Sequence, residues 1–374
     1  MVNSAHPGLR RAVQRRAHGR QQSGGQRRSP LNSALRALRF WRRYSACALL
    51  GIGLAMASGC DRPDRLAVPP DPLATLVHKV PETVPLKLAV VANADTPFWN
   101  LVRKGLAKFE RETGVKVDVF IPAHGRKEEQ RQILERLAGD GYHGVMVSVI
   151  APDEQLAVLN QIATKMNLVI IDADVPSCSR LAFVGPRNYD AGVAAGMAIA
   201  RLLPDGGKIA IFAGDLTAEN VVLRLRGIKD TIRDHNIEIV ALREDRVSRD
   251  QVRQQVEEVL QVIPDVNLLA GLWSYNGPVI REVLKSRGRA GQVKVVAFDE
   301  EEGTLQGIED GTIDCSVALT PFDYSYLGAR LLRDLARSGA AALPRDGEIN
   351  TGFLLVNRYN VAEFRETLAR QDSY

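Results

Sequence analysis

Two aspartates and one aromatic–amide pair carry the clearest chemistry in this sequence. Asp172 ends the apolar stretch LVIID, Asp299 follows VKVVAF, and Tyr275 and Asn276 end GLWSYN. Each of these apolar stretches predicts a buried strand. Two carboxylates can act as acid and base in glycoside hydrolysis, and carboxylate and amide groups can also hydrogen-bond a hydroxyl-rich ligand. At this level both chemistries remain open.

Other kinds of site lack their motifs. The sequence has no Gly-rich phosphate loop with Lys and Ser/Thr, no His/Cys/Asp cluster with metal-ligand spacing, and no Gly-x-Ser-x-Gly elbow. His124, His143 and His235 are scattered, and we interpret each as a surface or loop residue. We therefore expect no metal and no cofactor.

The elements that must position these residues alternate regularly from Leu86 onward. The predicted strands are Leu86–Ala92, Val115–Ile121, Gly144–Val149, Leu168–Asp172, Leu181–Val184, Lys208–Ala213, Glu238–Arg243, Leu268–Leu272, Val293–Phe298 and Cys315–Leu319. The predicted helices are Phe98–Thr113, Lys127–Ala138, Asp153–Lys165, Asp190–Leu203, Asn220–His235, Arg249–Val262, Pro278–Ser286, Thr304–Asp310 and Tyr324–Arg337. This alternation predicts an α/β protein with two doubly wound parallel sheets, which bind ligands beyond the carboxyl ends of their strands. Gly192 and Gly196 are expected to pack their helix closely on a sheet.

The head of the chain carries chemistry of another kind, at Cys60. Residues 1–43 hold eleven Arg, no Lys and no acid, and an apolar run from Tyr44 to Ala57 follows. This run of about 14 residues is shorter than the roughly 20 that a transmembrane helix needs, and the pattern is typical of a secretory signal over 1–59. Small residues followed by Cys resemble the lipobox of bacterial lipoproteins, in which the thiol is lipidated, although Ala57 stands where Leu is usual. An ordinary signal peptide or an uncleaved anchor is the alternative.

Export would reverse the charge of the chain. Removing eleven Arg from a formal net charge of +5 leaves about −6, so the basic balance does not indicate nucleic-acid binding. Residues 60–85 contain six Pro and predict an extended tether. The remainder is long enough for two domains. We expect Cys178 and Cys315 to be free, largely buried thiols, because two Cys are far from a disulfide scaffold.

Five stretches, taken in order, resemble a known family. They are KLAVVANADTPFWNLVRKGLAKFERETG, LVIIDADVP, LRLRGIKDTI, LAGLWSYNGP and VKVVAFDEEEGTLQGIEDGTIDCSVALTPFDYSYLGARLL. Together they resemble periplasmic sugar-binding proteins of the ribose-binding type, the class I substrate-binding proteins whose fold is shared with LacI-type repressors. The resemblance covers about Leu86 to Val356.

The resemblance implies two lobes joined by a hinge of three crossovers, as in a type I periplasmic binding protein. The first lobe would comprise 86–187 and 321–349, and the second 188–320 and 350–374. They would close over a monosaccharide and deliver it to an ATP-driven ABC permease. We expect a monomer.

The resemblance also implies ligand contacts in the first lobe. Phe98 and Trp99 align with paired aromatics that pack on the sugar ring, since aromatic faces bind the C–H face of a pyranose. Core packing is the alternative for both. Thr96 stands where the family often has Asn. Asp172 aligns with a ligand-binding Asp, but Ala173 replaces the Arg that follows it in ribose-type members.

Further contacts are implied in the second lobe. Arg224, rather than Arg226, matches the family's sugar-contacting Arg, because it stands at the right spacing before Gly227. The alternative is that Arg224 is simply a solvent-exposed side chain of a charged helix. Tyr275 and Asn276 stand where the family has Asn-Asp, and Asp299 matches an Asp that accepts sugar hydroxyls. Leu319 stands in place of the usual Gln, so the ligand is expected to differ from common pentoses and hexoses.

Three functions follow from these observations. The leading one is a lipid-anchored binding protein that delivers a sugar or related polyol to an ABC importer. The second is a periplasmic sugar sensor that signals to a chemoreceptor or kinase partner. The third is an enzyme that uses Asp172 and Asp299 as an acid/base pair, which is disfavoured because a fold alone supplies no activity and the resembled family is non-catalytic.

Overall fold

A computed structural model of the protein describes residues 72–372 apart from His124. The predicted signal peptide, the predicted lipidation site at Cys60 and the first part of the predicted tether lie outside the described residues. Between residues 72 and 372, none of the helices combines the length and apolar character needed to cross a membrane.

The first lobe is built on a six-stranded parallel sheet. Its strands are β1 (Leu88–Val91), β2 (Val117–Phe120), β3 (Gly144–Val147), β4 (Asn167–Ile171), β5 (Ala182–Gly185) and β11 (Glu348–Asn350). They lie in the order β11-β5-β4-β3-β1-β2. The strands β1, β3, β4 and β5 are buried along their whole length, because helices cover both faces of the sheet.

The second lobe repeats this plan. Its strands are β6 (Gly207–Ala213), β7 (Ile237–Glu244), β8 (Leu268–Gly271), β9 (Lys294–Phe298), β10 (Cys315–Ala318) and β12 (Leu354–Asn357), in the order β12-β10-β9-β8-β6-β7. The prediction of a purely parallel sheet is wrong at one edge, where β12 runs antiparallel to β10. β11 and β12 follow each other without an intervening helix. A strand that enters a sheet in the parallel direction needs a crossover connection to bring the chain back to the starting edge, and the chain has no such connection here.

Helices connect the strands in the predicted alternation. They are α1 (Phe98–Thr113), α2 (Lys127–Gly139), α3 (Pro152–Ala163), α4 (Asn188–Leu202), α5 (Glu219–Ile232), α6 (Arg249–Val262), α7 (Asn276–Ser286), α8 (Glu302–Glu309), α9 (Pro321–Ser338) and α10 (Val361–Asp372). α1 ends as its sequence predicts, because Gly114 takes a left-handed φ of 71° and its N–H bonds the carbonyl of Glu110. The elements β11, β12 and α10 were not among those predicted.

The chain passes between the two sheets three times. The crossings lie between β5 and α4, between β10 and α9, and between β11 and β12. After the second crossing, α9 packs on α1 and on strands of the first lobe. The predicted fold class, two α/β lobes joined by three crossovers, is thereby confirmed.

Small residues bring α4 and α5 unusually close together. A methyl group built on Gly192 would lie 2.2 Å from the carbonyl oxygen of Arg224, and one built on Gly227 would lie 2.3 Å from that of Tyr189. On Gly196 it would lie 2.7 Å from the Thr231 side chain. The expectation that Gly192 and Gly196 pack on the sheet is therefore wrong, because their close neighbour is helix α5.

The chain before β1 belongs to the first lobe. A short 3-10 helix covers Pro72–Leu76, and Leu73, Leu76 and Val77 pack against the core of the lobe. Farther on, Arg337 donates hydrogen bonds to the carbonyls of Val80, Pro81 and Val84. From Pro72 onward the prediction of an extended tether is therefore wrong, because apolar side chains between the prolines find a surface to cover.

The two thiols lie in different lobes. Cys178 is buried in the core of the first lobe and Cys315 in that of the second, and both are free. This confirms the expectation of two free, buried thiols.

Candidate ligand-binding site

A cavity lies where the carboxyl ends of the strands of both sheets meet. From the first lobe it is lined by Asn93, Ala94, Thr96, Phe98 and Asp172, and from the second by Asn220, Arg224, Val247, Trp273, Ser274, Tyr275 and Asp299. The enclosed space is small, about 40 Å³. Six of the eight predicted ligand residues thus come together here from distant parts of the sequence, namely Thr96, Phe98, Asp172, Arg224, Tyr275 and Asp299.

The two aspartates of the cavity sit on an uncommon backbone. Asp172 directly follows β4 with a φ of 69°, and Asp299 directly follows β9 with a φ of 63°. Side chains other than Gly rarely adopt this left-handed conformation, and such residues cluster at ligand sites. The turn at each strand end aims both carboxylates into the space between the lobes.

Arg224 is the positive centre of the cavity. Its side chain is only 1% exposed, and its guanidinium lies 4.7 Å from the centre of the Phe298 ring. Nε donates to Asn188 Oδ1 at 2.9 Å and Nη1 donates to the carbonyl of Leu272 at 2.6 Å. Arg226, by contrast, is 70% exposed beside Asp230. The structure therefore places Arg224, and not Arg226, at the cavity.

Asp172 is held by the first lobe and linked to Arg224. Its Oδ2 accepts a hydrogen bond of 2.9 Å from Ser148 Oγ. Its backbone carbonyl accepts one of 3.0 Å from Asn188 Nδ2, so Asn188 bridges Asp172 and Arg224. Burial raises the pKa of Asp172, against the opposing effects of Arg224 and of the Ser148 hydrogen bond.

Asp299 is the least satisfied polar group of the site. It is 5% exposed, and its Oδ1 is buried without a hydrogen-bond partner among the residues that the structure describes. Burial raises the pKa of Asp299 to about 7; Arg224 opposes this shift, and the carboxylates of Asp172 and Glu301 reinforce it. A buried carboxylate oxygen without a donor is unfavourable, so this group is ready to accept a hydrogen bond from a ligand.

Two predicted ligand residues, Trp99 and Asn276, do not line the cavity. Trp99 is 1% exposed and lies edge-on behind Phe98, with 5.7 Å between the ring centres. Its Nε1 donates to Asn93 Oδ1 at 3.3 Å, so Trp99 buttresses two lining residues. Trp99 follows Phe98 directly on α1, and successive helical side chains point to different sides of the helix.

Asn276 lies behind the wall because its amide is used within the protein. Nδ2 donates to Asp245 Oδ2 at 2.9 Å, and Oδ1 accepts from the backbone N–H of Trp273 at 3.0 Å. Tyr275 does line the cavity, but its hydroxyl donates to Asp245 Oδ1 at 2.5 Å. Tyr275 therefore presents its ring rather than a free hydroxyl.

Six lining residues were not among the predicted contacts: Asn93, Ala94, Asn220, Val247, Trp273 and Ser274. Asn93 and Ser274 lie just beyond β1 and β8, so applying the strand-end rule to every strand would have found them. Val247 is placed by a loop in which it and Arg246 both have left-handed φ values, 61° and 51°. No sequence pattern marks that loop. Trp273 is half-buried and forms part of the wall.

Asp174 serves the framework and not the cavity. Its carboxylate accepts from Arg180 Nε at 2.5 Å and Nη2 at 2.7 Å, and from the backbone N–H of Val175. Among residues 72–372, no group of three or more His, Cys, Asp or Glu is arranged to hold a metal ion.

A cleft between two hinged α/β lobes, lined by polar and aromatic side chains from both, defines a two-lobed ligand-binding protein. A family model described as "Periplasmic binding protein domain" matches residues 88–341, and the chain belongs to this family. Membership implies export.

Named relatives and solved structures agree with this assignment. The D-allose-binding periplasmic protein of Escherichia coli is 24% identical over 264 residues, 67% of this chain and 84% of that protein. The D-ribose/D-allose-binding protein of Pseudomonas aeruginosa is 25% identical over 301 residues, 76% of this chain and 92% of that protein. A solute-binding protein of an ABC transporter from Burkholderia graminis, solved with D-arabinose, is 26% identical with a TM-score of 0.72, covering 75% of this chain and 98% of its own. These relatives are binding proteins, not enzymes.

Proposed function

We propose that this protein is the lipid-anchored binding component of an ABC importer. It closes over a monosaccharide or a related polyol and delivers it to a membrane permease. It is not an enzyme. The observation that carries the proposal is the meeting of Asp172 from one lobe with Arg224 and Asp299 from the other, around a cavity with aromatic walls.

These groups suit a polyhydroxylated ligand. Carboxylates accept the charge-assisted hydrogen bonds that vicinal hydroxyls donate, and a guanidinium donates to ring and hydroxyl oxygens. The rings of Phe98 and Trp273 provide apolar surface for C–H groups. Only the closed form presents both sets of contacts, and a ligand shifts a conformational equilibrium by its differential affinity for the two forms. Sugar binding therefore favours closure.

Binding is tested by thermal shift and titration calorimetry with pentoses, hexoses, deoxy sugars and polyols. A ligand at about 100 times its Kd adds roughly 2.7 kcal/mol to the free energy of unfolding, so the melting temperature rises by several degrees. Asp299→Ala is then expected to make the binding free energy of the best ligand less favourable by about 2–4 kcal/mol, and Arg224→Ala by a similar amount. Arg226→Ala, two residues along the same helix and exposed, is the matched control and leaves Kd unchanged. The proposal of a sugar ligand fails if no compound of the panel binds the protein.

Lipid anchoring rests on the small residues before Cys60 and on the basic and apolar segments that precede them. Stable anchoring needs more than a single acyl chain, and lipoproteins of the resembled type carry several. Cys60→Ser then leaves a soluble or unprocessed chain in cell fractionation. If the variant is processed at the same place and stays with the membrane, the protein is anchored in another way.

A further inference from the structure

The charges of the cavity do not balance. Of the twelve residues that line it, Asp172 and Asp299 are acidic and only Arg224 is basic. Ala173, which follows Asp172, is apolar and brings no second cation. With all three groups ionised, the cavity carries one excess negative charge in a site where the acids are 5% exposed and Arg224 is 1% exposed.

The excess charge is not relieved by hydrogen bonds from Arg224. Its Nε and Nη1 donate to the neutral oxygens of Asn188 and Leu272. The carboxylate of Asp172 accepts one hydrogen bond, from Ser148, whereas Asp299 Oδ1 is buried with no donor within the described part of the chain. Burying an uncompensated charge is costly, so the closed cavity requires a donor-rich and preferably positive partner beside Asp299.

Two larger cavities adjoin the ligand cavity. One, of about 700 Å³, shares Phe98, Ser274 and Asp299 with it and is lined by four Glu and by Lys104, Arg249 and Arg365. The other, of about 430 Å³, shares Asn93, Ala94, Asn220, Val247 and Trp273 with it and forms an entrance with an excess of acids. The charged residues lining this entrance are Asp95, Asp215, Glu219, Glu244 and Arg246. Four acids against one base give a negative potential, which concentrates cationic ligands and repels anionic ones.

We propose that the ligand of this cleft is a sugar or polyol bearing one protonated amino group, which binds against Asp299, and that acid sugars are rejected. This inference rests on the proposed sugar-binding function. An ammonium group offers three N–H donors, which can reach Asp299 and a second acceptor, and its charge cancels the excess of the cavity. A uronate would instead add a second uncompensated negative charge.

A neutral sugar cannot cancel the excess negative charge of the cavity, so the charge has to be removed by protonation of the protein. Because the pKa of Asp299 is raised to about 7, the closed site can take up a proton there. The ionisable groups that act on Asp299 or are acted on by it are Asp172, Arg224, Glu300, Glu301 and Tyr324. The cavity of about 700 Å³ that Asp299 also borders is lined in addition by Lys104, Arg249, Glu282, Glu302 and Arg365. Neutral and aminated sugars are therefore distinguished by proton uptake as well as by affinity.

Titration calorimetry at pH 7 in phosphate and in imidazole buffer tests the inference. The probes are D-glucose, D-galactose, their analogues aminated at positions 2, 3 and 6, the N-acetylated analogues, and D-glucuronate. At least one aminated sugar is expected to bind roughly tenfold tighter than its parent, without the buffer-dependent proton uptake of the parent. N-acetylation removes this gain because it removes the charge, and D-glucuronate does not bind.

Asp299→Asn keeps the shape of the side chain and removes its charge, so it abolishes the preference for the amine. Glu363→Gln, an exposed acid on α10 that lines neither the cavity nor its entrance, is the control and retains the preference. If every aminated sugar binds more weakly than its parent, the inference is overturned while binding of the parent upholds the proposed function. If no sugar of any kind binds, both fail.

Discussion

Gly192 lies directly against the backbone of Arg224, the cation of the ligand cavity. A methyl group on Gly192 would lie 2.2 Å from the Arg224 carbonyl oxygen and 2.7 Å from its Cα. This contact fixes how closely α5 approaches α4. It keeps the Arg224 side chain within reach of Asn188, the residue that also bonds the backbone of Asp172.

Gly192→Ala is therefore expected to damage both stability and binding. The added methyl group meets backbone, which cannot rotate away, so α5 must shift at a cost of about 1–3 kcal/mol or more. Arg224 shifts with it, and sugar affinity falls. Urea unfolding and calorimetry measure the two effects. Gly139→Ala, at the end of α2 with nothing within 4 Å of the new methyl group, is the control. Unchanged affinity in Gly192→Ala would show that Arg224 does not depend on this contact.

Alanine substitutions of the adjacent residues Phe98 and Trp99 are expected to affect different properties, sugar affinity in one case and stability in the other. Phe98→Ala removes a lining ring and weakens sugar binding, with a smaller effect on folding because the ring is half-buried. Trp99→Ala removes a buried side chain from the core and lowers the free energy of unfolding by about 3–5 kcal/mol. Denaturant unfolding and sugar titration of both variants separate the roles. A selective loss of affinity in Trp99→Ala, at normal stability, would instead make Trp99 a direct contact.

Glu219 is expected to make stability depend on pH. Burial raises the pKa of Glu219 from about 4.5 to about 7; the Asp174 carboxylate of the other lobe adds to the shift, and the Asp174 amide and Arg224 oppose it. A raised pKa means that the folded form binds the proton more tightly. The resulting stabilisation is complete below pH 4.5 and is lost as the pH rises through 7.

Glu219→Gln removes this contribution. The loss of stability between pH 5 and pH 8, measured by urea unfolding, should be smaller in the variant than in the parent protein. Asp299 also titrates in this window, but it is present in both proteins and cancels in the comparison. Glu363→Gln, an exposed acid on α10, serves as control. Identical pH profiles for parent and Glu219→Gln would refute the assignment.

Arg337 is expected to anchor the segment before β1. Its guanidinium donates to the carbonyls of Val80, Pro81 and Val84, an arrangement that a Lys cannot reproduce. Both Arg337→Ala and Arg337→Lys should lower the free energy of unfolding, by about 1.5–3 kcal/mol for the alanine variant. Arg333→Ala, whose side chain pairs with its neighbour Asp334, is the control. Limited proteolysis between residues 72 and 85 should accelerate in the Arg337 variants alone.

The sequence by itself determined the fold class and most of the cavity. Alternating strands and helices restrict the chain to doubly wound sheets, and in such sheets the residues after each strand meet at one edge. Asp172 and Asp299 could be found in this way because each directly follows a strand, whereas Arg224 lies within α5 and was found through its spacing to Gly227 in the resembled family. Local pattern also located the end of α1 at Gly114, where a left-handed residue is needed.

Only the tertiary structure decided which side of an element each residue faces. Trp99 and Phe98 are neighbours in sequence, yet one lies in the core and the other lines the cavity. Asn276 is polar and lies just beyond a strand, as a ligand residue would, but its amide donates to Asp245, more than thirty residues away. The left-handed loop that presents Val247, the direction of β12 and the packing of residues 72–85 likewise depend on partners distant in the chain. Local pattern sets secondary structure, whereas the use of a side chain depends on contacts that only folding brings together.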